Sequence, residues 1–458
     1  MAKRDVFDSI SPVDYRYWDV EAAKYLSENG FIRYKCLVEL ALVKALQRRG
    51  LCSEAVVAHV QLACELVTTE AVYVEEKRIG HDIRALVNCI CANIRDEERR
   101  FVHMTATSFD ISDTANAARY KACVEQVAVP RLIALHKVFA QLALREAETV
   151  QVGRTHGQHA VPITFGFYMA GYVSRLGSCI LNLKRLAEVL PGKFSGAVGA
   201  YNASHLFFDD PEVFEREVLA ELGLCPVDHS TQIVQPEPLA RLLFECVLAA
   251  GILADLADDM RHLQRTEISE VGEEFGVDQV GSSTMPQKRN PINFENAKSM
   301  WKMIAPRILM VLMDQLSEHQ RDLTNSASAR TYGEVMCYLV ATAKRLTRTM
   351  GKLQVDADNL RKNLDIQGDL IGAEPLYIAL AALGHPDAHE VVRQVVQRAR
   401  SEKLSLSTAV QQEKSLEPYI LRMSDKQVRS YATPDQHYTG IAARRASEIA
   451  VHWLEELG

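Results

Sequence analysis

The residues from Gly281 to Met300, GSSTMPQKRNPINFENAKSM, place two serines, a lysine and an Asn-Pro step in a stretch with no apolar period. Asn290 is suited to cap a helix whose first residue is Pro291. Such a helix end offers backbone N–H groups and a positive dipole, and Lys288 adds a full charge near Ser282 and Ser283. The place suits a carboxylate or an enolate-like oxyanion. Gly272, Gly276 and Gly281 punctuate the approach, as in a loop that closes over a site. A polar loop with an ordinary cap has the same composition, so this stretch alone does not decide between the two.

A second stretch, GRTHGQHAVP, sets His156 among Thr155, Gly157 and Gln158, where an imidazole is free of bulky neighbours and exchanges protons near neutral pH. His81 and Asp82 open a helix in KRIGHDIRALV. Thr107, Ser108 and Asp110 precede another in HMTATSFDISDTANA, and helix capping alone accounts for both groups. Arg16 and Tyr17 in SISPVDYRYWD, with Arg321, Ser326 and Arg330 in RDLTNSASAR, are either grips for phosphate or carboxylate or solvated charges.

Rigid elements must position these groups, and almost all of the remaining sequence has a helical period. Cys36, Leu40 and Val43 share one face, with Gly50 as a stop. After Pro238 the residues Leu239, Leu242, Cys246, Ala249, Leu253, Leu256, Met260 and Leu263 alternate steps of three and four, a coiled-coil seam that needs partner helices along its length. Pro130 marks a kink or a join in another long segment. Irregular Gly-rich stretches interrupt the helices at GRTHGQHAVP, PGKFSGAVGAYNASH and the opening loop. The fold class expected is all-α, in three helical domains: residues 1–111, a long central bundle over 112–364, and a C-terminal domain over 365–458.

Composition narrows the function. The 458 residues carry a formal net charge of -7 and no basic cluster, which argues against a nucleic-acid partner. Charges break the apolar runs and the opening is polar at once, so a soluble, cytoplasmic protein with no membrane partner is expected. The ten cysteines are scattered without a CxxC pair and read as reduced core thiols. With no metal cluster or dinucleotide fingerprint, no cofactor is expected.

The stretch from Gly281 to Pro291 has the form GSSxMPxKxNP, the signature loop of the aspartase/fumarase superfamily, whose members cleave C–N or C–O bonds and release fumarate. Within it the chain is most similar to the adenylosuccinate lyase family. SPVDYRY, the HD at His81, TSFD, GRTHGQHAVPITFG, SGAVGAYNA, the TQ at Gln232, RDLTNSASAR and AEPLYIALAALG occur in that family's order. The resemblance implies a β-elimination in which Ser282 is the base and His156 the general acid, with His81 near the phosphate and leaving group. It implies that Thr107, Ser108, Lys288 and Asn290 hold the succinyl carboxylates, and that Arg16, Tyr17, Ser326 and Arg330 hold the nucleotide phosphate. Gln232 matches a substrate-binding glutamine; Asp82 and Thr155 fall beside His81 and His156 in the same motifs. It further implies a homotetramer whose active sites each draw on three subunits.

Phe109, Gln287 and the Pro236-Glu237 step depart from the family's usual residues and bear on the leaving group. Two other readings follow: a relative that releases fumarate from another N-substituted aspartate, and a scaffold that kept the fold without catalysis. Intact positions 156, 282, 288 and 290 speak against the second.

Overall fold

A computed structural model describes residues 9–276, 278 and 281–458. The polar opening segment lies outside the described residues. The chain divides into two compact units, one of residues 1–133, 178–254 and 297–344, the other of residues 134–177, 255–296 and 345–458. This division cuts the chain differently from the three sequence segments, because each unit gathers pieces far apart in sequence.

In the first unit the helix Glu28–Arg48 begins where the Ser27 hydroxyl accepts from Gly30 N at 3.1 Å. It ends where Gly50 takes φ +74° and Leu51 N reaches back to Leu46 O, a left-handed stop that favours glycine. Its face of Cys36, Leu40 and Val43 is buried as the spacing predicts, against the helices Glu54–Leu66, Ser108–Cys123 and Pro211–Ala220. The Ser108–Cys123 helix passes into a π-helical turn, Val124–Ala128, before Pro130. That turn is how the long segment absorbs the proline, which has no N–H to give to the preceding turn.

In the helix Glu237–Leu263 the seam residues Leu242, Cys246, Ala249, Leu253, Leu256 and Met260 are fully buried. The 3,4 spacing therefore located a true packing face. Leu239, at the helix start, is half-buried.

In the second unit the helix Phe165–Glu188 contributes Gly177, where a Cβ would lie 2.4 Å from the Trp453 ring. The C-terminal part has an apolar core of its own around Leu376, Leu380, Val395, Leu406 and Leu416. Short strands are few, but one pair carries a candidate catalytic residue.

Candidate active site

GRTHGQHAVP is not an irregular loop. Strand β1 (Val150–Thr155) pairs antiparallel with β2 (Gln158–Thr164), and Thr155 faces Gln158, leaving His156 and Gly157 as a two-residue turn. Their φ values are +53° and +72°, as a type I′ hairpin requires of both central residues. Glycine adopts this freely and histidine is among the few other residues enriched there, which explains the His-Gly order. Thr155 and His156 are exposed at the tip, and the His156 ring has no hydrogen-bond partner among the described residues.

The base of this hairpin is clamped. The fully buried Glu270 carboxylate accepts from Arg154 at 3.1 and 2.5 Å, from Gln151 Nε2 at 2.9 Å and from Asn363 Nδ2 at 2.9 Å. Four charge-assisted bonds on one carboxylate fix Arg154, two residues before the histidine. Sequence reasoning missed Glu270, because TEISEVGEE holds four acids and nothing in it marks which of them are buried.

Across the signature loop, Ser282 Oγ accepts from Thr284 N at 3.3 Å and Met285 N at 3.1 Å. Two N–H groups directed at one hydroxyl oxygen favour its ionised form. The expectation that Asn290 caps a helix starting at Pro291 is corrected. The helix runs Ile292–Ile304, and Asn290 Nδ2 instead donates to Gly281 O at 2.8 Å, tying the ends of the loop together. The helix N-terminus is occupied: Glu273 accepts from Asn293 N at 2.9 Å and Phe294 N at 3.1 Å. The chain's own anion sits on the dipole that the sequence seemed to offer to a ligand. Burial raises the Glu273 pKa, and the helix N–H groups and the Asn293 side chain pull against that. Lys288, with Arg261, His262, Arg265 and Asn290, lines a cavity of about 1530 Å³ beside the loop.

The remaining candidates lie in the first unit. His81 caps the helix Asp82–Cys91, its Nδ1 accepting from Arg84 N at 3.3 Å, so Nε2 is free for a ligand. Asp82 pairs with the nearly buried Lys35 at 3.2 Å. Thr107 and Ser108 start the Ser108–Cys123 helix, where Asp110 is fully buried. Asp110 accepts from Thr107 N at 2.7 Å, Lys193 Nζ at 2.5 Å, Ser195 N at 3.1 Å and Gly196 N at 3.2 Å. The SGAVG segment is thereby docked beneath Thr107 and Ser108. Gln232 is bracketed: the Ser230 hydroxyl meets that of Ser195 at 2.6 Å, and Val234 N donates to Asp113 at 2.9 Å.

Tyr17 packs edge-on to Tyr338 with ring centroids 5.9 Å apart, while Arg16, Ser326 and Arg330 are exposed. Arg321 lies over the Phe109 ring, 3.4 Å from its centroid. A further residue escaped the sequence reading. His103 pairs with the fully buried Glu39 at 2.7 Å, four residues before Thr107. Burial opposes its imidazolium, but Glu39 more than offsets that and holds its pKa above the usual value. Nothing in HMTATS signals the left-handed bends at His103 and Thr105 that bring it there.

Residues 12–308 match the family model described as Lyase, and residues 317–431 the model described as adenylosuccinate lyase C-terminal. Adenylosuccinate lyase of Pyrococcus horikoshii is 36% identical over 455 residues, 98% of this chain and 99% of the relative. The chain belongs to the adenylosuccinate lyase family. A more divergent member of that family, from Archaeoglobus fulgidus, is 32% identical over 98% of this chain and 99% of its own. Among solved structures, 3-carboxy-cis,cis-muconate lactonizing enzyme from Pseudomonas putida superposes with a TM-score of 0.83 at 25% identity, covering 97% of this chain and 99% of that one. A fumarate lyase from Mesorhizobium sp. BNC1 gives 0.81 at 24% identity over 95% and 98%, a likeness of fold. The adenylosuccinate lyase helical fold extends over nearly the whole chain.

Proposed function

We propose that this protein is an adenylosuccinate lyase of purine biosynthesis. It eliminates fumarate from adenylosuccinate, giving AMP, and from SAICAR, giving AICAR. The observation that carries the reading is the near full-length likeness to relatives of that name, at 36% identity over 98% of the chain. The loop geometry is in keeping with it.

In the reaction as we read it, ionised Ser282 takes a proton from the carbon next to a succinyl carboxylate. The electron pair passes into that carboxylate as an aci-carboxylate, then returns to form the double bond of fumarate while the C–N bond breaks. His156 gives its proton to the departing nitrogen. The Thr284 and Met285 N–H groups hold the serine oxygen, and Lys288 adds positive charge nearby. Thr107, Ser108 and Asn290 bind carboxylates, and Gln232 the substrate. Arg16, Tyr17, Ser326 and Arg330 grip phosphate, and His81 stands near phosphate and leaving group.

The same reading includes a homotetramer with shared sites. Phe244 and Leu248, one helical turn apart, expose an apolar stripe on the Glu237–Leu263 helix, and Leu309, Leu312 and Met313 expose another on the helix Arg307–Met313. An exposed acid tip at His156 fits completion by another copy. The ten cysteines, none of them in a disulfide among the described residues, fit a reducing cytoplasm.

The test is an ultraviolet assay with adenylosuccinate, with fumarate identified among the products and light scattering for mass. Turnover that falls about 10²–10⁴-fold in Ser282→Ala is expected. A folded wild type that leaves adenylosuccinate intact, or a Ser282→Ala variant of full activity, overturns the reading.

A further inference from the structure

Arg321 is a half-buried cation whose side chain has no ion-pair or hydrogen-bond partner among the described residues. What it has is an aromatic face. Its guanidinium carbon lies 3.4 Å from the centroid of the Phe109 ring, closer than any other cation–ring contact among the described residues. A guanidinium stacked by its face keeps all its N–H donors directed outward in its plane, and that fork matches a carboxylate or phosphate edge. A polar side chain at position 109 would instead bond the edge and take up those donors.

The surroundings add to the case. Phe109 is the second residue of the helix that begins at Ser108, so the stack sits immediately beside the candidate carboxylate-binding pair Thr107 and Ser108. Burial pulls the Arg321 pKa down, against the acids Asp113, Asp322 and Asp82 around it, and a desolvated cation of this kind gains most from an anion brought to it. Phe109 also lines a cavity of about 110 Å³ with Asp113, Leu190, Pro236 and Tyr332.

We infer that Phe109 is a positioning residue that stacks Arg321 so that its free guanidinium edge grips an oxyanion of the substrate, phosphate or carboxylate. The inference rests on the proposed reading for the identity of the substrate, but not for the existence of the grip. It assigns a role to one of the positions at which this chain departs from the family.

The experiment uses the full-length protein and four variants: Phe109→Leu, Phe109→Tyr, Arg321→Lys, and Phe109→Leu combined with Arg321→Lys. Calorimetric titration with AMP, inorganic phosphate and fumarate reads the grip without catalysis, and the adenylosuccinate assay separates KM from kcat. Phe109→Leu is expected to weaken anion binding and raise KM about 3- to 30-fold, the span of a cation–π contact, with kcat within about twofold. Phe109→Tyr, which keeps the ring, restores binding to within about twofold. In the Arg321→Lys background the Phe109→Leu effect disappears, because it acts through the arginine.

A loss confined to AMP and phosphate assigns the oxyanion to phosphate, and a loss confined to fumarate assigns it to carboxylate. Additive effects in the double variant, or a Phe109→Leu protein that melts lower but binds and turns over normally, reduce Phe109 to packing and overturn the inference. A wild type that binds none of the three probes overturns it as well. A wild type that fails on adenylosuccinate, yet loses anion binding on Phe109→Leu, sinks the substrate assignment and leaves the grip standing.

Discussion

Gly281→Ala tests whether the signature loop is shaped for chemistry or is merely a polar connection. At Gly281 an added Cβ would lie 1.9 Å from Lys288 O and 3.0 Å from the Phe275 ring. Contacts below 3.0 Å are not sustained, so the two strands of the loop must part by at least 1.1 Å, the difference 3.0 − 1.9. The clash is with backbone, which cannot rotate away. The same approach carries the Asn290 Nδ2 bond to Gly281 O, so the tie between the loop ends fails with it. Ser282 is the next residue, and a displacement of about 1 Å at a reacting group costs about 10²-fold in rate. We expect kcat on adenylosuccinate to fall about 100-fold, while Tm moves by no more than about 2 °C because the loop is mostly exposed. The assay is the absorbance change on fumarate release, paired with a thermal melt. A Gly281→Ala enzyme with kcat within about threefold of wild type would refute the claim that this loop geometry places the base.

Three further predictions follow from the buried polar groups. Glu270→Gln leaves Arg154 and Asn363 facing amide hydrogens; we expect about 3–5 kcal/mol less stability in chemical denaturation, with faster hydrogen exchange in residues 150–164. An unchanged hairpin would show that Glu270 does not anchor it. Thr105 has φ +66° and a buried hydroxyl without a partner, so Thr105→Gly should stabilise by about 1 kcal/mol, read as a higher Tm, and a lower Tm would mean the bend is not strained. Burial pushes the Asp113 carboxyl up to about 6 against the Val234 N–H bond, so folding favours its protonated form. That contribution is full below the unfolded value near 3.8 and is lost as pH rises through about 6. Asp113→Asn, which keeps an acceptor for Val234 N, should match wild type at pH 4 and exceed it in stability above pH 6 by about 2–3 kcal/mol. A constant difference across that range would exclude the assignment.

The helical architecture could be read from the sequence wherever periodicity reports burial. The seam from Leu242 to Met260 is one case, and the Cys36, Leu40 and Val43 face is another. The candidate site residues stand out as motifs, but their local geometry could not be read from them. A two-residue turn hidden in GRTHGQHAVP has no alternating apolar signal, because its strands are mostly half-buried or exposed. Its clue was the His-Gly pair itself, a turn that needs positive φ at both positions. The partners of buried charges were out of reach for a different reason. Glu270 meets Arg154, 116 residues away, and Asp110 meets Lys193, 83 away, and no spacing rule connects such pairs.

The misplaced helix cap shows how such long-range pairs alter a chemical argument. From Asn290-Pro291 alone, a free helix N-terminus stands ready to stabilise an oxyanion beside Ser282. In the structure Glu273 occupies that end, so the dipole is already neutralised by a carboxylate of the chain. The positive setting that a serine base requires must then come from elsewhere. Within the loop itself the groups that can supply it are the Thr284 and Met285 N–H donors on Ser282 Oγ and the exposed Lys288, all within seven positions of the serine. The proposed base and these groups belong to one loop, pinned at its ends by Gly281 and Asn290. Activation of the serine then depends on the internal geometry of that loop rather than on its distance from the following helix, which is why a single methyl group at Gly281 should disable it.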